Sequence, residues 1–326
     1  MATVSRYINQ SPTLTDEFKV KVEAAIQELH YVPNTAAKSL KTGSSATIAL
    51  IVPELSNPFY TDIYNATRKY ALDAGLHTAL FSVAEEEHMF AELEQQLLSG
   101  YYAGAVIVLL DNPVFLEYVE RFATSLPTVL ISTENHARIC NCIMIDTFDA
   151  EYRATKYLIE KGRKRIALIN GNMNRQTSRD KLNGYKKCLA DSGLPMDETL
   201  IYDGHYASAD GYYAARQFMM LANAPDAMVC ANDILAIGCL KYLYQAGVKV
   251  PEEVAVVGMD GTAWASNFIP SITTMEIPIE DICKEATSML LKKINHAKAP
   301  NQVRIFQTTL VVNNSTDKDA PMRFDL

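Results

Sequence analysis

The amino-acid sequence predicts an α/β fold of two doubly wound parallel-sheet lobes, with a small helical segment in front of them. From Thr47 onward, short apolar runs alternate with helical patterns, which is typical of parallel strands joined by crossover helices. Two of these runs are nearly the same, TIALI beginning at Thr47 and RIALI beginning at Arg165. This repetition indicates two similar halves. Paired lobes of this kind bind ligands in the cleft outside the carboxyl ends of their strands.

Three short elements are predicted in the first 46 residues. A polar-faced helix is expected over Thr3 to Asn9. A second helix begins with Asp16 and Glu17, whose carboxylates suit the positive end of the helix dipole, and Pro33 stops it. A small basic segment, 34–40, comes third. The second helix is expected to bury one stripe of apolar side chains, made of Phe18, Val22, Ala25, Ile26 and Leu29.

Nine strands are predicted after residue 46, each from a short apolar run bounded by turn residues. In chain order they are Ile48–Val52, Thr78–Val83, Ala105–Leu110, Thr128–Ile131, Cys142–Ile145, Arg165–Ile169, Leu200–Tyr202, Ala227–Cys230 and Val254–Met259. The intervening segments have helical periodicity, so we expect helices on the faces of both sheets.

Three segments near the start of the chain occur in an informative order. TVSRYIN is followed by VEAAIQELHYVPN and then by AAKSL. In this order they resemble the headpiece and hinge of the lactose/galactose repressor family of transcriptional regulators, and the resemblance continues to about residue 315. It implies a helix-turn-helix headpiece, a hinge helix and a core like that of periplasmic sugar-binding proteins. It also implies an incomplete headpiece, because Met1 falls where the first helix should already have been.

The resemblance implies that this first segment contacts operator DNA. In the family, the helix that carries TVSR lies in the major groove, and the hinge wedges a leucine into the minor groove. The implied contacts from the helix are Thr3, Ser5, Arg6 and Asn9. Those from the hinge are Asn34, Ala37 and Leu40. The first 46 residues carry five basic and four acidic side chains while the whole chain carries −8, so DNA contact should be confined to this end.

By the same resemblance, the chain crosses between the lobes three times and forms a homodimer, which suits DNA with two half-sites. The implied division is 1–46 for the partial headpiece and hinge, 47–146 with 276–305 for lobe one, 147–275 with 306–315 for lobe two, and 316–326 for the tail.

Candidate effector contacts follow the strand ends of both lobes. In the loop SNPF the proline can open a helix, while Asn57 and Phe59 offer an amide and a ring to the cleft. Asn232 and Asp233 end a strand and both suit helix caps. Asp260 lies just beyond another strand end, where a carboxylate can accept two sugar hydroxyls. The resemblance adds effector contact from the SNPF loop and from Asn232.

Two further candidates come from the resemblance. Tyr206 lies in the loop that supplies an aromatic platform in the family, although a partly buried loop tyrosine is an equally open interpretation. Lys181 stands where the family usually has an arginine, and a lysine offers a point charge instead of a planar fork. Gly261 and Ser132 stand where relatives often have an acid or an amide. Either the effector differs from a simple sugar, or effector control has weakened.

Other function classes lack support in the sequence. There is no Gly-x-Ser-x-Gly elbow, no Gly-x-Gly-x-x-Gly after the first strand and no phosphate loop, so neither catalysis nor a cofactor is expected. The histidines are dispersed and the six cysteines lie in apolar surroundings, which favours buried reduced thiols over a metal site. No apolar stretch approaches the roughly 18 residues that span a membrane, and no signal sequence is evident, so a cytoplasmic protein is expected.

Two functions stay open on these grounds. The first is a homodimeric repressor whose affinity for operator DNA is modulated by a small molecule, a sugar or related metabolite, bound between the lobes. The alternative is a cytoplasmic ligand-binding protein that does not bind DNA because its headpiece is truncated. Pentoses, hexoses, nucleosides and phosphorylated sugars all stay open as the effector.

Overall fold

The computed structural model describes residue 7 and residues 15–29, 45–83, 87–108 and 112–321. The chain divides into two compact units, residues 1–44 and 45–326. In the first unit helix α1 runs over Asp16–Glu28, which confirms the second predicted helix. Of the helix expected over Thr3 to Asn9 the structure describes only Tyr7, which is helical, and the segment 34–40 lies outside the described residues.

The apolar stripe of α1 is only partly buried, so the predicted burial is wrong for most of its members. Val22 is buried, but Phe18 and Leu29 are 53% and 74% exposed. Ala25 is exposed as well, and Ile26 is half-buried. A unit of this size has too little apolar surface to enclose a whole helix face.

The second unit contains two six-stranded sheets. The first has the order β2-β1-β3-β4-β5-β11, and all neighbouring strands in it run parallel. Its strands are β1 (Thr47–Val52), β2 (His77–Ser82), β3 (Gly104–Val108), β4 (Thr128–Ser132), β5 (Asn141–Ile145) and β11 (Val303–Phe306).

The second sheet repeats this arrangement in the order β7-β6-β8-β9-β10-β12, and only the β10–β12 pair in it is antiparallel. Its strands are β6 (Ile166–Asn170), β7 (Ile201–Asp203), β8 (Ala227–Cys230), β9 (Ala255–Asp260), β10 (Thr273–Glu276) and β12 (Thr309–Val311). The two sheets confirm the predicted pair of doubly wound lobes, which the repeated IALI runs of β1 and β6 indicate in the sequence.

Helices cover both faces of each sheet, and four hydrophobic clusters fill the space between helices and strands. Strands enclosed in this way read as continuous apolar runs in the sequence, which is why they are recognisable there. The helices of this unit are α2 (Pro58–Asp73), α3 (Glu87–Leu97), α4 (Pro113–Ala123), α5 (Thr147–Glu160), α6 (Gln176–Asp191), α7 (Ser208–Met219), α8 (Asp233–Gln245), α9 (Ala263–Asn267) and α10 (Ile279–Asn295).

All nine predicted strands are present. Their ends agree with the prediction to within one residue, except that β3 is described to Val108 and its predicted end, Leu110, lies outside the described residues. The sequence analysis missed β10, β11 and β12. Each is three or four residues long, and none forms a continuous apolar run. Strands β11 and β12 are also partly exposed, so their composition lacks the signal of a buried strand.

The last strands belong to different sheets. Strand β11 pairs with β5 of the first sheet, and β12, only two residues later, pairs with β10 of the second. Helix α10 packs against α2 on the first sheet. The chain therefore passes between the sheets after β5, after β10 and after β11. The residue boundaries of the lobes given by the resemblance stay a prediction.

All six cysteines are buried and unbridged, as the sequence predicts for reduced thiols. In the part of the chain that the structure describes, no helix is long and apolar enough to cross a membrane. Nor do those residues hold a cluster of three or more metal-ligating side chains.

Candidate effector-binding cleft

A cavity of about 390 Å³ lies in the second unit, where strands of both sheets have their carboxyl ends. The first sheet contributes loops after β1 and β4, including Glu54 and Ser132, together with Tyr60 at the start of α2. The second sheet contributes the loops before α6 and α7 and the end of β9. The volume is within the range of small-molecule sites, and the position is where open parallel sheets bind ligands.

All six effector contacts expected from the sequence line this one cavity. They come from five segments that are separate in the sequence, and the fold brings these segments together. The six are Asn57, Phe59, Lys181, Tyr206, Asn232 and Asp260. Their contact with an effector stays a prediction.

Two asparagines begin helices at the edge of the cavity. The Asn57 side-chain oxygen accepts a hydrogen bond from the Phe59 backbone N–H at 3.0 Å, at the start of α2. The Asn232 side-chain oxygen accepts one from the Leu235 backbone N–H at 2.8 Å, at the start of α8. Because capping uses the oxygen of each amide, the Nδ2 group is the part that can donate to a ligand.

Asp260 is the most constrained carboxyl group of the cleft. Its backbone φ is +121°, a conformation that side-chain-bearing residues rarely adopt, and the side chain is 7% exposed. Among the described residues, nothing hydrogen-bonds its Oδ2 atom. Burial raises the pKa of Asp260 well above its ordinary value, and the negative charge of Asp233 raises it further. Lys181 and Asn57 act in the opposite direction and favour the ionised form.

Asp233 holds the loop that carries Asp260, and its side chain does not cap α8 as its position in the sequence suggests. Its Oδ2 accepts hydrogen bonds at 2.9 Å from both the backbone N–H and the hydroxyl of Thr262. Its Oδ1 accepts one from the Thr274 hydroxyl at 2.7 Å. Burial raises the pKa of Asp233 to about 6, and these donors oppose the rise. Asp233 thus joins α8 to Thr262, two residues after Asp260, and to Thr274 of the neighbouring strand β10.

Tyr206 forms one wall of the cavity and is tightly held. A Cβ at Gly171 would lie 2.0 Å from its ring, so only glycine leaves room for the ring there. Its hydroxyl group is 2.7 Å from the Ser178 hydroxyl. The Arg175 and Lys181 cations each lie 5.6 Å from the ring centroid. With a φ of +64°, Tyr206 has the left-handed backbone that this position needs.

Lys181 is 4% exposed, and its ammonium group donates to the Ala231 carbonyl oxygen. The cation is therefore part of the cavity wall. Arg179, two residues earlier on α6, donates instead to the Gln176 side chain and to the carbonyl oxygens of Met173 and Asn174.

Sequence analysis did not assign several residues that line the cavity. Tyr60, Thr133, Arg175, Thr177 and His205 are among them. Tyr60 directly follows Phe59, His205 directly precedes Tyr206, and Thr133 directly follows Ser132. Their positions in loops after strands could therefore have indicated that they line the cleft. Burial, and then the charge of Asp260, raise the pKa of Tyr60.

The residues predicted to contact DNA all belong to the first 46 residues. Thr3, Ser5, Arg6, Asn9, Asn34, Ala37 and Leu40 all lie outside the described residues.

Comparison with known proteins assigns the family. A profile described as "Bacterial regulatory proteins, lacI family" matches residues 1–34, and one described as "Periplasmic binding protein-like domain" matches residues 155–316. The HTH-type transcriptional regulator RegA of Clostridium saccharobutylicum is 30% identical over 324 residues, which cover 97% of this chain and 95% of RegA. The chain belongs to the lacI family of bacterial regulatory proteins.

Other lacI-family proteins match over nearly the whole length as well. The HTH-type transcriptional repressor PurR of Photobacterium profundum is 27% identical over 314 residues, covering 96% of this chain and 94% of PurR. A solved structure of the transcriptional regulator CelR in complex with cellobiose is 28% identical, with a TM-score of 0.75 and coverage of 96% and 95%. The two-lobed fold described above is therefore the fold of lacI-family regulators.

Replacement of Asp260 by Asn should stabilise the ligand-free protein, and increasingly so as the pH rises. The folded-state pKa of Asp260 is raised, so its favourable contribution is present at low pH and is lost as the pH rises through that pKa. Asparagine carries no charge and avoids this loss. We expect the melting temperature of Asp260→Asn to equal that of the unsubstituted protein near pH ~4 and to exceed it near pH ~8.

Asp73→Asn, at the exposed end of α2, is the matched control and should leave the pH profile unchanged. A variant Asp260→Asn that melts lower than the unsubstituted protein at every pH would show that the carboxylate stabilises the empty cleft.

Proposed function

We propose that this lacI-family regulator is a homodimeric transcriptional repressor controlled by a small, hydroxyl-rich molecule such as a sugar or sugar-like metabolite. The molecule binds in the cleft between the two sheets and alters affinity for operator DNA. Its relatives are named as transcriptional regulators and repressors, and one was solved with cellobiose. The cleft is assigned to binding, with no catalytic role, and the protein acts in the cytoplasm, where its operator is.

The observation that carries the effector half of the proposal is the Oδ2 atom of Asp260, which has no hydrogen-bond partner in the part of the chain that the structure describes. A buried polar atom without a partner costs roughly 1–3 kcal/mol, and a ligand hydroxyl that donates to it removes this cost. Lys181 and the Asn57 amide already favour the ionised form of Asp260, which is the better acceptor. A ligand with several hydroxyl groups is the chemical class that this arrangement fits.

The rest of the cavity supports the same class. Phe59, Tyr60 and Tyr206 offer aromatic surfaces, which pack against the apolar face of a sugar ring or a base. Ser132, Thr133 and further threonines supply hydroxyl groups that can donate or accept. About 390 Å³ lies near the lower end of the range for ligand sites, which favours a ligand of monosaccharide or nucleoside size.

The DNA half of the proposal rests on the family match over residues 1–34 and on the residues that the resemblance assigns there. Arg6 and its polar neighbours face bases or phosphates, and the hinge at Ala37 and Leu40 enters the minor groove. Two such segments in a homodimer read two half-sites.

Thermal unfolding of the full chain tests the effector half. Pentoses, hexoses, disaccharides, nucleosides and phosphorylated sugars are screened as additives. A true effector at about 100 times its dissociation constant should stabilise the protein by about 2.7 kcal/mol. Replacement of Asp260 by Ala should weaken that effector roughly tenfold or more, because its hydroxyl loses its acceptor.

Asp73→Ala is the control for this experiment, since it removes an exposed carboxylate far from the strand ends. A ligand whose stabilisation survives Asp260→Ala would mean that the effector binds elsewhere, and a panel without any stabilising member would reject the hydroxyl-rich class.

Selection of duplexes from a random-sequence pool tests the DNA half. The full chain should enrich one two-half-site sequence, and Arg6→Ala should weaken its binding by about 1–3 kcal/mol if the arginine contacts a base. Lys19→Ala removes one positive charge from α1, where Lys19 pairs with Asp16 at 2.7 Å, and should have a smaller effect. Equal losses from the two variants, or no enriched sequence, would contradict the proposed role of Arg6.

A further inference from the structure

Glu151 is a carboxyl group enclosed between two helices behind the cleft. It lies on α5, which packs against α6, and is 0% exposed. The helices approach closely here, since a Cβ at Gly184 of α6 would lie 3.2 Å from the Glu151 Cβ. Among the described residues, neither carboxyl oxygen has a hydrogen-bond partner. An enclosed carboxyl group without partners is costly, so its presence calls for a physical explanation.

The same face of α5 reaches the cleft. Thr147 lies one turn before Glu151 and lines the cavity, and Thr155 lies one turn after it. The hydroxyl oxygens of both threonines are buried and, within the described part of the chain, have no hydrogen-bond partner. Glu151 is thus the middle member of a buried polar stripe that begins at the effector cavity.

Lys181 links Glu151 to the predicted effector contact. It lies on α6 one turn before Gly184, where that helix closely approaches Glu151, and it also lines the cavity. Its charge lowers the pKa of Glu151. The same charge lowers the pKa of Asp260 in the cleft. One buried ammonium group therefore acts on both carboxyl groups.

The other ionisable groups that face Glu151 keep their charge constant near neutrality. Tyr185 and Cys188 belong to α6 and Cys230 to β8, and burial raises the pKa of each, that of Cys188 to about 11. Burial raises the pKa of Glu151 to about 7. Of this group, Glu151 is the member that gains or loses its charge in the neutral range.

We propose that Glu151 is a positioning residue of the effector cleft and acts through Lys181. When Glu151 is ionised, it attracts the Lys181 ammonium group towards the helix interface and away from Asp260. When it is protonated, the full charge of Lys181 acts on Asp260 and favours the ionised carboxylate that accepts ligand hydroxyls. The effect on ligand recognition rests on Asp260 being an effector contact, as proposed above, whereas the coupling of Glu151 to Lys181 does not.

Carbon-13 NMR of the ligand-free full chain tests this coupling. Lysine is labelled at its ε-carbon, and the Lys181 signal is assigned by its loss in Lys181→Arg. Between about pH 5 and about pH 9 the Lys181 signal should move with a midpoint near 7, as Glu151 ionises. The spectra are also recorded in Asp260→Asn, which removes the other carboxyl group that Lys181 acts on. In that background Glu151→Gln should abolish the movement, and Glu151→Asp should retain it with a displaced midpoint.

Glu160→Gln is the control, because Glu160 lies on the same helix with a side chain that is 65% exposed, and it should leave the movement unchanged. Circular dichroism checks that each variant is folded. If Glu151→Gln is not folded, Glu151→Ala replaces it in the experiment. A Lys181 signal that keeps its midpoint in Glu151→Gln, or that never moves in the unsubstituted protein, overturns the proposal. No effector or DNA is present, so this result is independent of the ligand screen.

Discussion

Desolvation of Asp260 is the constraint around which the cleft is organised. The carboxyl group sits at the end of β9 with one oxygen unsatisfied among the described residues and with a second buried acid, Asp233, beside it. The negative charge of one carboxylate disfavours ionisation of the other. Different groups of the protein offset this repulsion for Asp233 and for Asp260. Donors from Thr262 and Thr274 satisfy Asp233, which fixes the loop around Asp260. Lys181 and Asn57 favour the ionised form of Asp260, but its Oδ2 atom has no hydrogen-bond partner among the described residues, which is why we propose it as the acceptor for a ligand hydroxyl.

The groups that favour the ionised form of Asp260 come from both halves, which suits the role proposed for the cleft as a sensor. Asn57 and Tyr60 lie at the start of α2, on the first sheet, whereas Lys181 of α6 and Tyr206 line the cleft from the side of the second sheet. A ligand that donates to Asp260 as proposed can therefore contact groups carried by both halves. The chain passes between the halves three times, so any change in their relative position involves all three connections. A ligand with different affinity for two such arrangements shifts their populations and, by linkage, the affinity for DNA.

The sequence predicts the fold and the cleft wall well because both follow from local signals. Apolar runs enclosed by helices mark the strands, and polar residues just after strand ends, such as Asn57 and Asp260, must meet where parallel strands end together. The short strands β10, β11 and β12 are not recognisable in the sequence. Three or four residues, some of them polar or exposed, form neither a continuous apolar run nor a regular alternation of apolar and polar residues. The hydrogen bonds of Asp233 and the burial of Glu151 are not predictable from the sequence either. Each depends on a residue distant in the chain, Thr262 for Asp233 and Gly184 for Glu151. Local propensity favours a cap at Asp233, and tertiary hydrogen bonds override it.

The most direct test of the account is the affinity of the full chain for its selected operator duplex, measured by fluorescence anisotropy with and without the stabilising ligand. We expect the ligand to change operator affinity by roughly 5- to 150-fold in the unsubstituted protein. Asp260→Ala should bind the duplex as tightly as the ligand-free protein and should not respond to the ligand. A ligand that occupies the cleft and is weakened by Asp260→Ala, yet leaves operator affinity unchanged, would contradict the central claim that this cleft controls DNA binding.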